Sequence, residues 1–200
     1  MTVSGQPLGS RDDRAMSRRA LPSPRVTTGR LTRDYPALPA ALMSQWLSVE
    51  KSVDMRLSYA PCRVLLASGG VHDRVYVVDA AEYVRHWGAE PNAASLIAVQ
   101  DIESISSSPV RLPARFANEL YSKGETSMGG MQFEAVLIDG STIRIAMGNA
   151  IDFPAWPDGV EPSNIVEVMH GAGAGSIPTA HIGPSQDVRT CLFSRSNSAV

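Results

Sequence analysis

The chain has 200 residues, 44% of them hydrophobic and 19% charged, with a formal net charge of −2 at pH 7. This length suits one domain with tails, and no apolar run approaches the roughly 18–20 residues that a membrane-spanning helix requires. The two cysteines, Cys62 and Cys191, are far apart and show no metal-ligand spacing, so we expect neither a disulfide nor a cysteine metal site.

Residues 1–34 form a basic, polar segment without an apolar period. Seven arginines and three aspartates give residues 1–35 a net charge of +4, whereas the rest of the chain carries −6. This composition is typical of a disordered basic arm, with nucleic-acid binding through the arm as the alternative. No aromatic side chain is interleaved with these arginines, as single-strand binding usually requires. The segment also lacks an apolar secretory core, which predicts a cytoplasmic protein without membrane attachment.

An amphipathic helix is predicted across residues 36–51, where apolar side chains recur every fourth position from Leu38 to Trp46. Two apolar runs, 62–67 and 74–78, follow on either side of a glycine-containing turn. Unbroken apolar runs of this length are typical of strands that are covered on both faces. We therefore expect a strand pair at this point of the chain.

A capping box follows the strand pair, with Asp79 as the N-cap of a short helix and Glu82 as its third residue. Gly88 ends this helix at the position that commonly takes the left-handed conformation. The apolar pattern then predicts a strand in 96–105 and a further helix in 113–123. The two helices are short, so each needs to pack against a sheet to be stable.

The clearest local signal is a β-hairpin in residues 133–147, which turns at Asp139-Gly140. A two-residue loop would divide the apolar side chains between both faces of the hairpin. A three-residue loop, 138–140, instead gathers them on one face and places Glu134 on the other, so we predict this loop with Gly140 left-handed. The apolar side chains gathered in this way are Phe133, Ala135, Leu137, Ile143 and Ile145.

A faint internal repeat links residues 62–105 with residues 133–169. Each stretch reads as strand, glycine turn and strand, then an acidic residue beside an aromatic one, a tryptophan, a proline and a last strand. The last strand of the second stretch is predicted in 165–169, and no sustained period follows it in 171–200. A duplicated unit of this kind would form one sheet or a small barrel.

Together these elements predict an α+β fold, with a small antiparallel β-sheet or partly open barrel of about five strands and two or three short packing helices. We expect a single domain in 35–170, a disordered basic arm in 1–34 and a disordered tail in 171–200. The repeat gives this domain two related halves, 62–105 and 133–169.

No stretch matches a nucleotide-binding or nucleophile motif, and the sequence indicates no cofactor. The glycine-rich loop 124–130 is the best site candidate, because flexible loops on rigid scaffolds often carry function. Glu125 and Ser127 in this loop, together with Asp152, are the candidate catalytic residues. A connecting loop, with Asp152 as a helix cap, is the simpler interpretation. The four histidines have no metal-ligand spacing, so we expect them to face solvent and predict no metal.

These observations favour a soluble, non-catalytic module that binds a protein partner or a ligand, since no catalytic constellation is visible. A small hydrolase or transferase that uses the loop 124–130 is one alternative. A nucleic-acid-associated protein that uses the arginines of 1–34 is another.

Overall fold

A computed structural model describes residues 30–148, 150–171, 178 and 180–195. Within these residues the fold is α+β, as the sequence predicts, with three helices and two mixed sheets of five and four strands. The helices are α1 Ala40–Ser48, α2 Ala80–Trp87 and α3 Ala114–Lys123. The strands are β1 Ser52–Asp54, β2 Leu57–Leu66, β3 Val71–Asp79, β4 Ile102–Ser107, β5 Met131–Leu137, β6 Thr142–Met147, β7 Ile165–His170, β8 Ala180–Ile182 and β9 Arg189–Phe193.

In the first sheet, β2 and β3 form the central antiparallel hairpin. β4 and the short β1 both pair with β2 in antiparallel fashion, while β9 lies parallel to β3 on the opposite side. In the second sheet, the antiparallel hairpin β5–β6 is central, with β7 antiparallel to β5 and β8 parallel to β6. Both sheets are therefore mixed, and together they have nine strands among the described residues, more than the one sheet of about five antiparallel strands that the sequence indicated.

The first sheet is covered on both faces, which explains the unbroken apolar runs of its central strands β2 and β3. On one face, α1 packs through buried Leu42 and Trp46, and the Trp46 ring meets Phe193 edge-on with centroids 5.0 Å apart. The indole N–H of Trp46 donates to the carbonyl of Val77 at 2.9 Å. The other face shares a larger core with α3 and the second sheet, and Phe133 is fully buried there.

The capping signals of α2 are confirmed. The carboxylate of Asp79 accepts a hydrogen bond from the backbone N–H of Glu82 at 2.9 Å, and Gly88 ends the helix with a left-handed φ of 77°. The buried face of α2 is narrow, consisting of Ala80 and Val84. Trp87, which the pattern placed towards the sheet, remains 38% exposed.

The predicted hairpin loop 138–140 is confirmed. The N–H of Leu137 donates to the carbonyl of Ser141 at 2.9 Å, and Gly140 is left-handed with φ +83°. The register places the apolar side chains on one face, as expected, but the opposite face is not solvent-exposed. Glu134 on that face is fully buried, whereas Leu137 is only partly buried. The guanidinium of Arg144 compensates in part for the burial of the Glu134 carboxylate, since its Nε donates to Glu134 at 3.0 Å.

The expectation that 171–200 is a tail without structure is corrected by β8 and β9. β9 completes the first sheet, and its residues Cys191, Leu192 and Phe193 are buried. A parallel strand inside the fold carries no turn signal next to its partner, so its short apolar run resembles a tail in the sequence. Most of the predicted arm 1–34 lies outside the described residues.

The two sheets share their connectivity, with the strand orders β4-β2-β3-β9 and β7-β5-β6-β8. The hairpin loops match as well, because Gly69 and Gly140 have φ of +85° and +83° and each donates its N–H to the last residue of the preceding strand. A short 3-10 turn precedes both β4 and β7. This agreement is what a duplication of 62–105 and 133–169 predicts, and superposition of the two units is its direct test.

None of the described helices is long and apolar enough to cross a membrane.

Candidate functional site

The three candidate catalytic residues do not form one site. Asp152 is fully buried in the core, whereas Glu125 and Ser127 are exposed on the loop between α3 and β5. Among the hydrogen bonds and ion pairs of the described residues, none joins Asp152 to either of the other two. The site predicted from these residues therefore separates into a buried network and a surface pocket.

Asp152 is the centre of the buried network. Its Oδ1 accepts hydrogen bonds from the hydroxyl of Ser52 and, at 3.5 Å, from Nη2 of Arg111. Its Oδ2 accepts from the hydroxyl of Tyr121 at 3.1 Å and from that of Tyr76 at 3.4 Å. Burial raises the pKa of Asp152, and the charge of Arg111 opposes this effect. The hydrogen bonds satisfy both carboxylate oxygens within the core.

Arg111 extends the network to the backbone. Its Nη1 donates to the carbonyl of Glu50 at 2.6 Å, and its Nη2 donates to the hydroxyl of Ser52 at 3.0 Å. The backbone carbonyl of Asp152 accepts from the N–H of Leu112 at 2.8 Å. Asp152 thus ties together segments that are distant in the sequence, and the helix-cap interpretation is corrected. A carboxylate without solvent contact and with all partners supplied by the protein is a structural element.

The surface pocket lies between the β1–β2 turn, α2 and the start of the loop 124–130, and we call it the Asp54 pocket. Its volume is about 90 Å³. A cavity of this size admits the end of one side chain but not a drug-sized ligand, which typically needs about 300 Å³ or more. Its lining combines carboxylate, imidazole, phenol and thioether groups: Asp54, Met55, His86, Tyr121, Gly124, Glu125 and Met131.

Asp54 and His86 form a pair in this pocket. The Nε2 atom of His86 lies 3.4 Å from Oδ2 of Asp54, and the two side chains are only 16% and 13% exposed. The expectation that the histidines face solvent is therefore wrong for His86. Burial raises the pKa of Asp54; proximity to His86 lowers it, and the like charge of Glu125 raises it further. The carboxylates of Asp54 and Glu125 consequently act on the same small volume.

Hydrogen bonds within the loop hold Glu125 at the rim of the pocket. Its Oε2 accepts from the N–H of Gly129 at 3.0 Å, and the hydroxyl of Thr126 accepts from the N–H of Gln132 at 2.6 Å. The carbonyl of Gly124 lies 2.8 Å from Nε2 of His170, which anchors the start of the loop to β7. The loop is therefore a defined structure that presents Glu125 towards Asp54.

Ser127 has no environment that would activate it. Its hydroxyl donates to the carbonyl of Gly130 at 3.5 Å, and its side chain is exposed. A nucleophilic serine requires a base within about 2.6–3.2 Å that removes its proton. No base makes that contact with Ser127 among the described residues, so its geometry is that of a turn residue.

The exposed Met55 lines the Asp54 pocket. Met55 is 84% exposed and has φ 51°, the one positive φ of a non-glycine residue within the described ranges. Met128 at the tip of the loop is fully exposed. Methionine side chains are flexible and polarizable, and such residues are frequent at surfaces that bind other proteins.

The tryptophans of the described residues differ in their surroundings. A second, smaller cavity of about 70 Å³ beneath α2 is lined in part by Tyr83 and Trp87. Trp46 is instead buried under α1, and the indole N–H of Trp156 donates to the carbonyl of Val110 at 2.8 Å. These two tryptophans are packing residues, as is usual for large aromatics.

The described part of the chain does not test nucleic-acid binding by the arm. Of the seven arginines in 1–35, only Arg30 and Arg33 are described, and Arg33 lies 3.7 Å from the carboxylate of Glu90. Across the described residues, no group of three or more His, Cys, Asp or Glu side chains is arranged to hold a metal ion.

Sequence reasoning missed Asp54, Met55 and His86. Asp54 and Met55 belong to a short turn, which gives no periodic signal. His86 lies three positions after Tyr83, and residues at this spacing share one side of a helix. That spacing could have indicated that His86 lies on the same side of α2 as Tyr83, but no local pattern identifies Asp54 as its partner.

No family model, no curated protein and no solved structure matches this chain.

Proposed function

We propose that this protein is a non-catalytic interaction module that binds a protein partner at the Asp54 pocket. The observation that carries this proposal is the pocket itself, where two carboxylates face a small volume that is also lined by the exposed Met55. The pocket rests on α2, α3 and the first sheet, so the scaffold holds these groups in place. Small rigid pockets of this kind suit the capture of one anchoring side chain.

The chemistry of the lining selects the anchor. Asp54 and Glu125 supply negative charge, and the thioethers of Met55 and Met131 supply apolar walls. A lysine or arginine side chain matches both features, because its aliphatic stem packs on apolar groups while its charged end stays polar. The volume of about 90 Å³ accommodates the end of such a side chain. A basic anchor on the partner is therefore the best fit.

The test is an NMR titration with two capped amino acids, N-acetyl-lysine amide and the neutral N-acetyl-glutamine amide. The lysine compound should shift the methyl signals of Met55 and Met131 in a saturable way, and the glutamine compound should not. Asp54→Asn and Glu125→Gln should each weaken the binding of the lysine compound several-fold. Glu119→Gln is the matched control, since Glu119 is an exposed carboxylate on α3 that pairs with Lys123.

Equal shifts with both compounds, or full binding by the Asp54→Asn variant, would contradict the proposal. A lysine-bearing peptide should bind more tightly than the capped amino acid if the methionines contribute. Met55→Ser should weaken the binding of both ligands, because Met55 also packs against the lysine stem, and it should weaken the peptide more.

A small hydrolase or transferase is the second candidate, and the Asp54–His86 pair is the observation that favours it. A carboxylate that orients an imidazole is a common arrangement for general base catalysis. No serine, threonine or cysteine side chain lines this pocket, so the pair would act on water or on a bound substrate. Turnover of a substrate that is lost in His86→Gln but retained in Ser127→Ala would establish this candidate and refute the non-catalytic proposal.

A further inference from the structure

A second surface feature is a groove alongside α1, whose lining residues differ in chemistry from those of the Asp54 pocket. Its volume is about 660 Å³, and it is open to solvent. We call it the α1 groove, and its lining is apolar and basic: Ala37, Leu38, Met43, Trp46, Leu47, Lys51, Ser58 and Arg195. Leu47 is 65% exposed there, although α1 is otherwise packed on the first sheet.

Two cations lie over the same aromatic ring at this groove. The Nζ atom of Lys51 is 4.0 Å from the centroid of the Trp46 ring, and the guanidinium carbon of Arg195 is 5.1 Å from it. Lys51 also donates to the carbonyl of Val49 at 2.8 Å and to that of Trp46. These contacts fix the ammonium group at the wall of the groove.

The positive charge of the groove is only partly neutralised. No carboxylate lines the groove, and Lys51 has no ion-pair partner among the described residues. Arg195 is 3.6 Å from Glu82, at the side of α2. Burial, together with the neighbouring charges of Arg195 and Arg111, lowers the pKa of Lys51 to about 8. A negative group placed in the groove would relieve this repulsion.

We infer that the α1 groove docks an acidic, amphipathic segment of a partner protein, with apolar side chains on the exposed Leu47 and carboxylates beside the two cations that lie over the Trp46 ring, Lys51 and Arg195. The pattern of an apolar floor with charges of one sign is the receptor half of the helix-in-groove mode of recognition. Charge complementarity supplies the specificity for an acidic partner, since a basic segment would face like charges.

Charge also argues against the other occupants. Residues 1–35 carry a net charge of +4, so this arm would be repelled by Lys51 and Arg195. Residues 196–200 contain no acidic side chain. A second copy that docked through the same groove in an isologous dimer would bring its own two cations against these two. An acidic segment of a different protein is the occupant that the charges favour.

The experiment uses the full chain and two synthetic peptides, each a short amphipathic helix with leucine on one face and either glutamate or lysine on the other. Binding is followed by the fluorescence of Trp46, in a background where Trp87 and Trp156 are replaced by Phe, and by calorimetry. The glutamate peptide should bind and perturb Trp46, and the lysine peptide should not. Higher salt should weaken the binding, because screening reduces exposed charge interactions.

Lys51→Gln and Leu47→Ser separate the charged and apolar contributions. Each should weaken binding of the glutamate peptide about tenfold, a change of about 1.4 kcal/mol. Lys123→Gln is the matched control and should bind as the parent does, because Lys123 is an exposed lysine on α3. Thermal unfolding of each variant identifies loss of fold, and Leu47→Ser, at an exposed position, keeps the proposal testable if Lys51→Gln unfolds.

Each of the following results would overturn the inference: equal binding of both peptides, no binding of either, binding unaffected by Lys51→Gln and Leu47→Ser, or binding that appears only after deletion of 196–200. The last would show that the chain itself fills the groove. Concentration-dependent dimers that Leu47→Ser abolishes would assign the groove to a second copy and would also overturn it. Binding of the glutamate peptide alone, lost in both variants, supports it.

Discussion

The two hairpins of this protein are built alike, but the segments that follow them are not. β2–β3 and β5–β6 share their antiparallel pairing, their three-residue loops and the placement of their neighbouring strands, although the register shifts between Cys62 and Val64 in β2–β3 and not in β5–β6. After β3, Asp79 caps α2, which supplies His86 to the Asp54 pocket. After β6, the chain is extended and sends Asp152 into the core. The arrangement of the strands is repeated, whereas the segments that follow the two hairpins differ.

This difference extends to acidic residues at matching positions of the two repeats. Glu82 and Asp152 occupy matching places in the two sequence repeats, 70 positions apart. Glu82 stays at the surface and pairs with Arg195, whereas Asp152 is enclosed with Arg111. An acidic residue thus lies at the surface in the first repeat and in the core in the second. Measurements of unfolding free energy for variants at matching positions test this difference.

The largest expected effect is that of Asp152→Ala. The substitution leaves the guanidinium of Arg111 buried without its carboxylate, which costs about 3–5 kcal/mol of unfolding free energy. The paired variant Glu82→Ala removes only a partly exposed ion pair, worth about 0–1 kcal/mol. Urea denaturation of both variants gives the comparison, and equal losses would contradict the distinct roles assigned to these acids.

Next in size are Gly69→Val and Gly140→Val. Each places a β-branched residue at a left-handed φ, which costs about 1–3 kcal/mol although nothing lies within 4 Å of the new Cβ. Equal losses of unfolding free energy would support the equivalence of the two loops. Gly70→Ala is the control, since the nearest atom to its added Cβ is at an ordinary 3.5 Å. A neutral Gly140→Val would refute the role assigned to the turn.

A smaller loss, about 1 kcal/mol, is expected for Asp79→Ala, because the N-cap of α2 is removed. The loss should loosen α2 and therefore the contact between His86 and Asp54. Hydrogen exchange of the α2 amides should accelerate, while those of β5 and β6 remain protected. Acceleration in both hairpins would show that the two units are not independent.

The smallest effect concerns the pH dependence of the Asp54 pocket. Because folding raises the pKa of Asp54, its contribution to stability is fully present below the ordinary carboxyl pKa and is lost as pH rises through the raised value. Glu125→Gln removes a like charge, so the pKa of Asp54 should fall and this loss should become smaller. NMR titration of the Asp54 carboxyl carbon measures the shift. Glu119→Gln should leave the pKa of Asp54 unchanged. A higher pKa of Asp54 in Glu125→Gln would contradict the claim that the two carboxylates act on the same small volume.

Local signals allowed the hairpin at Gly140 and the helix from Asp79 to be predicted, because the residues that specify them are neighbours in the chain. The α+β class follows from the same signals. Asp152 could not be assigned, since its partner Arg111 is 41 positions away and no pattern links them. β9 was missed for a similar reason, because a parallel strand joins its partner without a connecting turn.

The Asp54 pocket was predicted only in part. The loop 124–130 is visible as a glycine-rich connector, and it does place Glu125 at a cavity. The other walls come from α2 and from the β1–β2 turn, where Met55 adopts an unusual conformation that sequence does not reveal. Long-range assembly, rather than local propensity, therefore determines which side chains meet.

The position of β9 has a consequence for biosynthesis. Arg195, next to β9, reaches Asp79 across 116 positions of the chain. On the ribosome, β3 emerges well before the strand that covers its flank has been translated. During that interval its unpaired N–H and C=O groups are open to nascent neighbours, a situation that favours aggregation. Truncated translation products that stop before residue 189 should therefore depend strongly on chaperones, whereas the full-length polypeptide protects its own edge.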